Sequence, residues 1–364
     1  MLTTLIFILS ILLTIFFVIG FHEFGHFIAA RLLGIRVLRF SLGFGRILYS
    51  RTDRTGTEFA LSAIPLGGYV KLLDEEEETV AESDKPFAFN NQPFWKKAIV
   101  IAFGPLFNLI LAFILYWLIF MIGFTSIVPI VGKVTPHSIA YDAGLKPKQE
   151  IVIVDQIPVN SWMSVVMRIL SHTGNQDIMQ MTTRSPNGIL REHSLNLSSW
   201  KMDDLKPDPF GSLGIEPFVP KTDHFPQSML HYNQYGPVSA LSHAWRNTYD
   251  FTWLNLDITY KLLTGKVSLK SLGGPISIFS NAGNALREGA VAFMSFLGFI
   301  SISIGIINIL PIPALDGGQL FLYFIEFITR RPIPRRVLEI CYRVGVLAII
   351  FLSLRAILND ILRL

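Results

Sequence analysis

His22-Glu23-Phe24-Gly25-His26 places two imidazoles four residues apart, the spacing at which side chains share one helix face and can hold one metal ion. Glu23, beside them, is positioned to act as the base that takes a proton from a hydrolytic water. A hydrolytic zinc site commonly uses three protein ligands and leaves a fourth position open, so a third ligand must come from elsewhere in the chain. The best candidate is Asp316, in the run Asn308-Ile309-Leu310-Pro311-Ile312-Pro313-Ala314-Leu315-Asp316-Gly317-Gly318. By position alone it reads equally as a ligand and as the cap of a following helix. The chemistry expected of this set, with one zinc per chain, is peptide-bond hydrolysis in which Glu23 returns the proton to the leaving nitrogen. Asn108 and Asn308 are amides in apolar surroundings. They read as groups that orient a substrate backbone or stabilise an oxyanion, or as hydrogen bonds that join helices.

These residues need membrane-spanning elements to carry them. Half of the 364 residues are hydrophobic and only 16% are charged, the balance of a membrane protein. Four runs approach the ~20 apolar residues a helical span needs: Leu2 to Ala30, Ala98 to Phe124, Ala292 to Leu310 and Val337 to Leu354. The first has no basic residue before it and no small-residue cleavage site after it, so it reads as a span and not a leader. The metal motif lies at its inner end, where ionisable groups are costly unless they have a function. Arg31, Arg36, Arg39, Lys96 and Lys97 fall between the first two spans, and Arg330, Arg331, Arg335 and Arg336 between the last two. This placement explains the net charge of +4 without a nucleic-acid partner and puts both loops in the cytoplasm. The two ends of the chain and its long central segment then face outward. The acidic run Asp74 to Glu78 reads as a solvated loop. Cys341 is the only cysteine, so a disulfide within the chain is excluded.

Phe40 to Tyr49 and Thr57 to Leu72 read as strands against the membrane, and Phe40 to Arg46, with Gly43-Phe44-Gly45, as an edge that pairs with an extended substrate or as an ordinary hairpin. Pro311 and Pro313 are expected to break the third span beside the metal. Residues 127–219 change to short strands, turns and a helix from Ser161 to His172, and read as a separate soluble domain. From His231 to about Glu288 the chain reads as an amphipathic surface connector rich in aromatic residues. A transporter is disfavoured because four spans show no repeat. A purely adaptor role is disfavoured because a metal staple has no need of Glu23.

Together these motifs resemble the site-2 protease family of intramembrane zinc metalloproteases over nearly the whole chain. The resemblance rests on His22 to His26, Gly43-Phe44-Gly45, Gly56-Thr57-Glu58, Pro65 to Lys71, Gly104-Pro105 with Asn108, Gly274-Pro275-Ile276-Ser277, and Asn308 to Gly317. It implies that Asp316 is the third zinc ligand, that Asn308 contacts substrate backbone with Pro311 nearby, and that the hairpin at about residues 40–72 receives the substrate. It also implies substrates that are single-span membrane proteins of the anti-sigma-factor type, cut after another protease has acted, or remnant signal peptides. The order of signals in residues 127–219 resembles a permuted bacterial PDZ domain, with Leu213-Gly214-Ile215 as its peptide-binding loop or with the whole domain as a steric gate. The best-known enterobacterial member has two such domains, whereas this chain has room for one. The expected fold is a polytopic α-helical inner-membrane protein in four parts: a membrane region over 1–126, a PDZ-like α+β insertion over 127–219, a connector over 220–291 and a second membrane region over 292–364.

Overall fold

A helix that is apolar on every side is stable only where lipid replaces water, and the chain begins with one. In the computed structural model, which describes residues 2–75, 79–220 and 225–363, α1 spans Leu2–Leu32 and leaves Leu5, Ile8, Leu12 and Phe16 exposed. It stops at Gly34, whose φ of 73° lets the Ile35 N–H reach back to the Ala30 carbonyl at 2.9 Å. Strands β1 (Val37–Thr52) and β2 (Glu58–Leu72) follow, then α2 (Phe94–Ile122). Next come β3 (Phe124–Ile127), β4 (Val131–Val134), α3 (Ile139–Asp142), β5 (Glu150–Val154), β6 (Ile157–Pro158), α4 (Trp162–Ser171), β7 (Ile178–Arg184), β8 (Leu190–Asn196), β9 (Ile215–Pro217) and β10 (Leu230–Asn233). The chain closes with α5 (Pro237–Leu263), α6 (Pro275–Glu288), α7 (Ala290–Ile309), α8 (Asp316–Thr329) and α9 (Arg335–Arg363). Among the described residues four helices are long and apolar enough to cross a membrane: Thr3–Leu32, Phe94–Ile122, Ala290–Ile309 and Arg335–Arg363.

The chain divides into two compact units, one of Met1–Tyr116 with Pro275–Leu354 and one of Trp117–Gly274 with Arg355–Leu364. In the first, the turn between β1 and β2 is fixed by Asp53, which accepts hydrogen bonds from the Thr55 and Thr57 N–H groups and pairs with Arg31. The Arg31 guanidinium holds the Asp53 carboxyl well below the usual carboxylate range. The middle of β1 has partners on both sides: Phe40 lies opposite Val70 and Phe59, Ser41 opposite Tyr69 and Ala60, Leu42 opposite Gly68 and Leu61. The free edge expected over Phe40 to Arg46 is therefore corrected to the residues after Leu42. Gly43 and Gly45 sit at φ 92° and 83°, a left-handed geometry that glycine adopts at little cost.

The second unit folds around Val131, Ile151, Val165, Ile169, Met179, Leu195, Leu213 and Ile215, all essentially buried. A four-stranded sheet in the order β6-β5-β7-β8 packs against α4. The start of α4 is fixed by a capping box between Ser161 and Ser164, worth about 1 kcal/mol. The connector differs from expectation. His231 lies in a strand, β10, because Leu230–Asn233 pairs with Phe124–Ile127 a hundred residues earlier, and the helical run becomes α5 and α6, separated by residues 264–274. Of the acidic run Asp74 to Glu78, residues 76–78 lie outside the described residues, as do 221–224 of the connector.

Candidate metal centre

His22 and His26 stand one turn apart on α1, both buried, with their Nε2 atoms 3.3 Å from each other. His26 Nδ1 lies 2.8 Å from the Val100 carbonyl of α2. A carbonyl can only accept, so the ring hydrogen sits on Nδ1 and the Nε2 lone pair is left bare. Asp316 Oδ2 approaches both rings, 3.0 Å from His22 Nε2 and 3.5 Å from His26 Nε2. That oxygen is buried and receives no hydrogen bond. The three residues can each offer one ligand atom, all within 4.8 Å of one another.

The sequence delivers Asp316 here by breaking a helix. α7 stops at Ile309, and Pro311 and Pro313 carry the chain through an extended turn before α8 begins. Leu315, not Asp316, occupies the cap position, and no side chain caps it. The helix-cap alternative for Asp316 is thus not the one the chain adopts. A methyl group on Gly317 or Gly318 would strike the Ile309 or Ile312 carbonyl, so both glycines are needed for the tight entry into α8.

Glu23 lies between the imidazoles and the hairpin. Its carboxylate faces the main chain of β2 at Val70, and its Cγ would be 3.1 Å from a methyl on Gly68. On the opposite side, a methyl on Gly104 would overlap the His26 ring and come within 2.9 Å of His22 Cε1. Asn108 is fully buried, with its amide 3.4 Å from His22 Nδ1, and its main-chain carbonyl accepts from Ser301 Oγ at 2.8 Å. Asn308 Nδ2 lies 3.5 Å from His22 Nε2. Both asparagines therefore gather at His22.

The other sequence candidates lie apart from this cluster. The Phe44 ring stacks on Tyr69 at 6.1 Å, between Gly43 and Gly45. Gly43 borders an apolar cavity of about 260 Å³ with Leu12, Phe16, Leu42, Leu61, Pro65 and Gly67. Pro311 is exposed in the turn before Asp316. In the second unit, Leu213 and Ile215 turn their side chains into the core, and Gly214 is left-handed at φ 83°. Sequence reasoning missed the Val100 carbonyl and the main chain at Val70, which leave no mark in residue types. Gly104 beside Pro105 in the middle of a span was a visible sign of close approach.

The model of Peptidase family M50 matches residues 10–352 of this chain. A Vibrio cholerae protein that bears a provisional zinc metalloprotease name is 34% identical, over 95% of this chain and 96% of its own length. The regulator of sigma E protease of Salmonella typhi and the regulator of sigma-E protease RseP of Escherichia coli are each 33% identical, over 94% of this chain and 95% of theirs. The chain belongs to peptidase family M50 and is a metalloprotease.

Proposed function

We propose that this family M50 member hydrolyses peptide bonds within the membrane spans of its substrates, with one zinc ion held by His22 Nε2, His26 Nε2 and Asp316, and with Glu23 as the base. One observation carries the reading: two buried imidazoles and a buried carboxylate oxygen that receives no hydrogen bond bring their ligand atoms within 4.8 Å of one another. Such an arrangement is costly without a cation to neutralise it. Zinc there supplies Lewis acidity toward a peptide carbonyl and toward water. Glu23 takes the water's proton and hands it to the leaving nitrogen, with its carboxylate facing the main chain of β2 at Val70. His26 is oriented by Val100. Asn108, with its side-chain amide nitrogen 3.4 Å from His22 Nδ1, braces the other ring from the side of α2. Asn308 stands beside His22, where a substrate backbone would lie, and Pro311 is exposed in the turn that follows it.

An intramembrane substrate must be unwound before it is cut. The hairpin edge beyond Leu42, with Gly43, Phe44 and Gly45, offers main-chain pairing to such a segment, and the adjacent apolar cavity would take one of its side chains. The names of the relatives favour substrates of the anti-sigma-factor type, trimmed beforehand by another protease. Remnant signal peptides have the same single-span chemistry. We place the basic loops in the cytoplasm and both chain ends and the second unit in the periplasm, as the charge asymmetry indicates.

Residues 127–219 we read as one PDZ-like domain. The alignment to the Vibrio protein runs over 435 positions yet takes in only 95% of 364 residues, so roughly ninety positions of that relative have no counterpart here, about the size of one small domain. Strand β9 has one strand neighbour, β4, among the described residues, and its other edge would receive a peptide through main-chain groups of Leu213 to Ile215.

The test is cleavage of a single-span substrate lacking its outer domain, with metal content measured on wild type and on Glu23→Gln. Wild type should cut, the variant should lose ~10²–10⁴-fold or more, and both should hold one zinc. Undiminished cleavage by a zinc-loaded variant would refute the role of Glu23.

A further inference from the structure

Where α2 begins and α8 ends, the first unit contains a second cavity, of about 340 Å³, lined by Phe94, Lys97, Tyr323, Glu326, Phe327 and Arg330. Phe94 stacks on Phe327 at 4.9 Å, and Lys97 Nζ lies 4.8 Å from the centre of the Tyr323 ring. The lining thus combines three aromatic rings with three charged side chains. Arg330 ends α8 at φ 52°, a position that favours glycine over any residue with a Cβ. Its surroundings hold it there: the Ile333 N–H donates to Glu326 Oε1 at 2.8 Å, and Pro332 and Pro334 restrict the segment that follows. A cation in a backbone conformation that costs energy lines this cavity, and such a position points to a ligand.

Charge selects the ligand class. Lys97 and Arg330 against Glu326 leave the lining with one net positive charge, and among the described residues no carboxylate pairs with Arg330. One phosphodiester carries the single negative charge that balances this. We propose that the cavity binds the phosphate of an anionic glycerophospholipid of the phosphatidylglycerol kind. Phosphate oxygens meet Lys97 and Arg330, and acyl chains run along the exposed rings of Phe324 and Phe327. A free phosphate ion offers the same head chemistry, but it has no use for the three aromatic rings of the lining. The position suits a lipid, at the start of the apolar helix α2, where Lys96 and Lys97 lie and where basic residues flanking a span meet headgroups.

The test titrates purified full-length protein in neutral detergent with phosphatidylglycerol, phosphatidylcholine or inorganic phosphate, and follows thermal unfolding. Phosphatidylglycerol should stabilise wild type at the lowest concentration. Arg330→Gln should weaken its apparent affinity about fivefold, and Lys97→Gln with Arg330→Gln about twenty-five-fold, from roughly 1 kcal/mol per basic residue near an anionic surface. The single variant guards against a folding defect in the double one, because Lys97 also packs on Phe89 and Tyr323. Equal stabilisation by phosphatidylcholine, or an unchanged affinity in Arg330→Gln, would overturn the site. Inorganic phosphate reproducing the whole effect would overturn the lipid assignment.

Discussion

In the first unit two imidazoles share one carboxylate; in the second, two carboxylates share one imidazole. His172 Nε2 meets Asp155 at 2.6 Å and its Nδ1 meets Asp177 at 2.8 Å, distances as short as any around His22 and His26. Both ring nitrogens of His172 are taken, so no lone pair is left to ligate a metal. Its partners explain its presence: Asp155 and Gln156 form the β5-β6 turn with φ 48° and 64°, a turn that favours Asn-Gly or Asp-Gly. The Asp155 carboxylate is held by the Gln180 N–H as well as by His172. The same residue types thus brace a turn in one place and converge on a point in the other. What separates them is where the ring hydrogens go.

The comparison can be broken most severely by removing a ligand. His26→Ala or Asp316→Ala should abolish zinc binding and reduce cleavage to background, while His172→Ala leaves metal content and cleavage rate unchanged. Zinc lost from His172→Ala would place the metal in the wrong cluster. A smaller effect is expected from Gly104→Ala, whose methyl group would push on both imidazoles. Zinc affinity should fall about a hundredfold with the fold intact, as judged by competition with a chelator. Asn108→Ala, which frees His22 Nδ1, should cost about tenfold in the same assay.

The smallest effect belongs to His172 and appears only against pH. Burial works against its charged ring, but the hydrogen bonds to Asp155 and Asp177 outweigh burial and raise its pKa above the ordinary value. A raised histidine stabilises the folded state fully below the unfolded value of about 6.5, and that contribution is lost as pH climbs through the folded value. Hydrogen exchange at the Gln180 amide should therefore quicken as pH rises from 6 to 8 beyond the intrinsic chemical trend, by no more than about 1 kcal/mol of protection. His172→Gln should remove that extra slope.

The helix-borne half of the site was legible because His22 and His26 are neighbours in sequence and the 3.6-residue period alone puts them on one face. Asp316 remained open between ligand and cap, since nothing local tells whether a turn after Pro313 folds back toward α1. The four spans were visible to within a few residues, apart from the last, which continues as helix to Arg363. β10 was missed because the short run Leu230–Asn233 becomes a strand only through its distant partner, β3. The double pairing of β1 was hidden for a related reason. The gap between Arg39 and Tyr69 says nothing about which segment lies on which side.

The distance along the chain between His26 and Asp316 also orders events in time. Translation at 5–20 residues per second puts about 15–60 s between the synthesis of the two histidines and that of the aspartate roughly 290 residues later. During that interval α1 carries two of the three proposed ligands, and on that reading the nascent protein is unable to hydrolyse its neighbours. On the proposed ligand set, the third ligand arrives with the Pro311–Pro313 turn, after the hairpin and residues 117–274 of the second unit have been made.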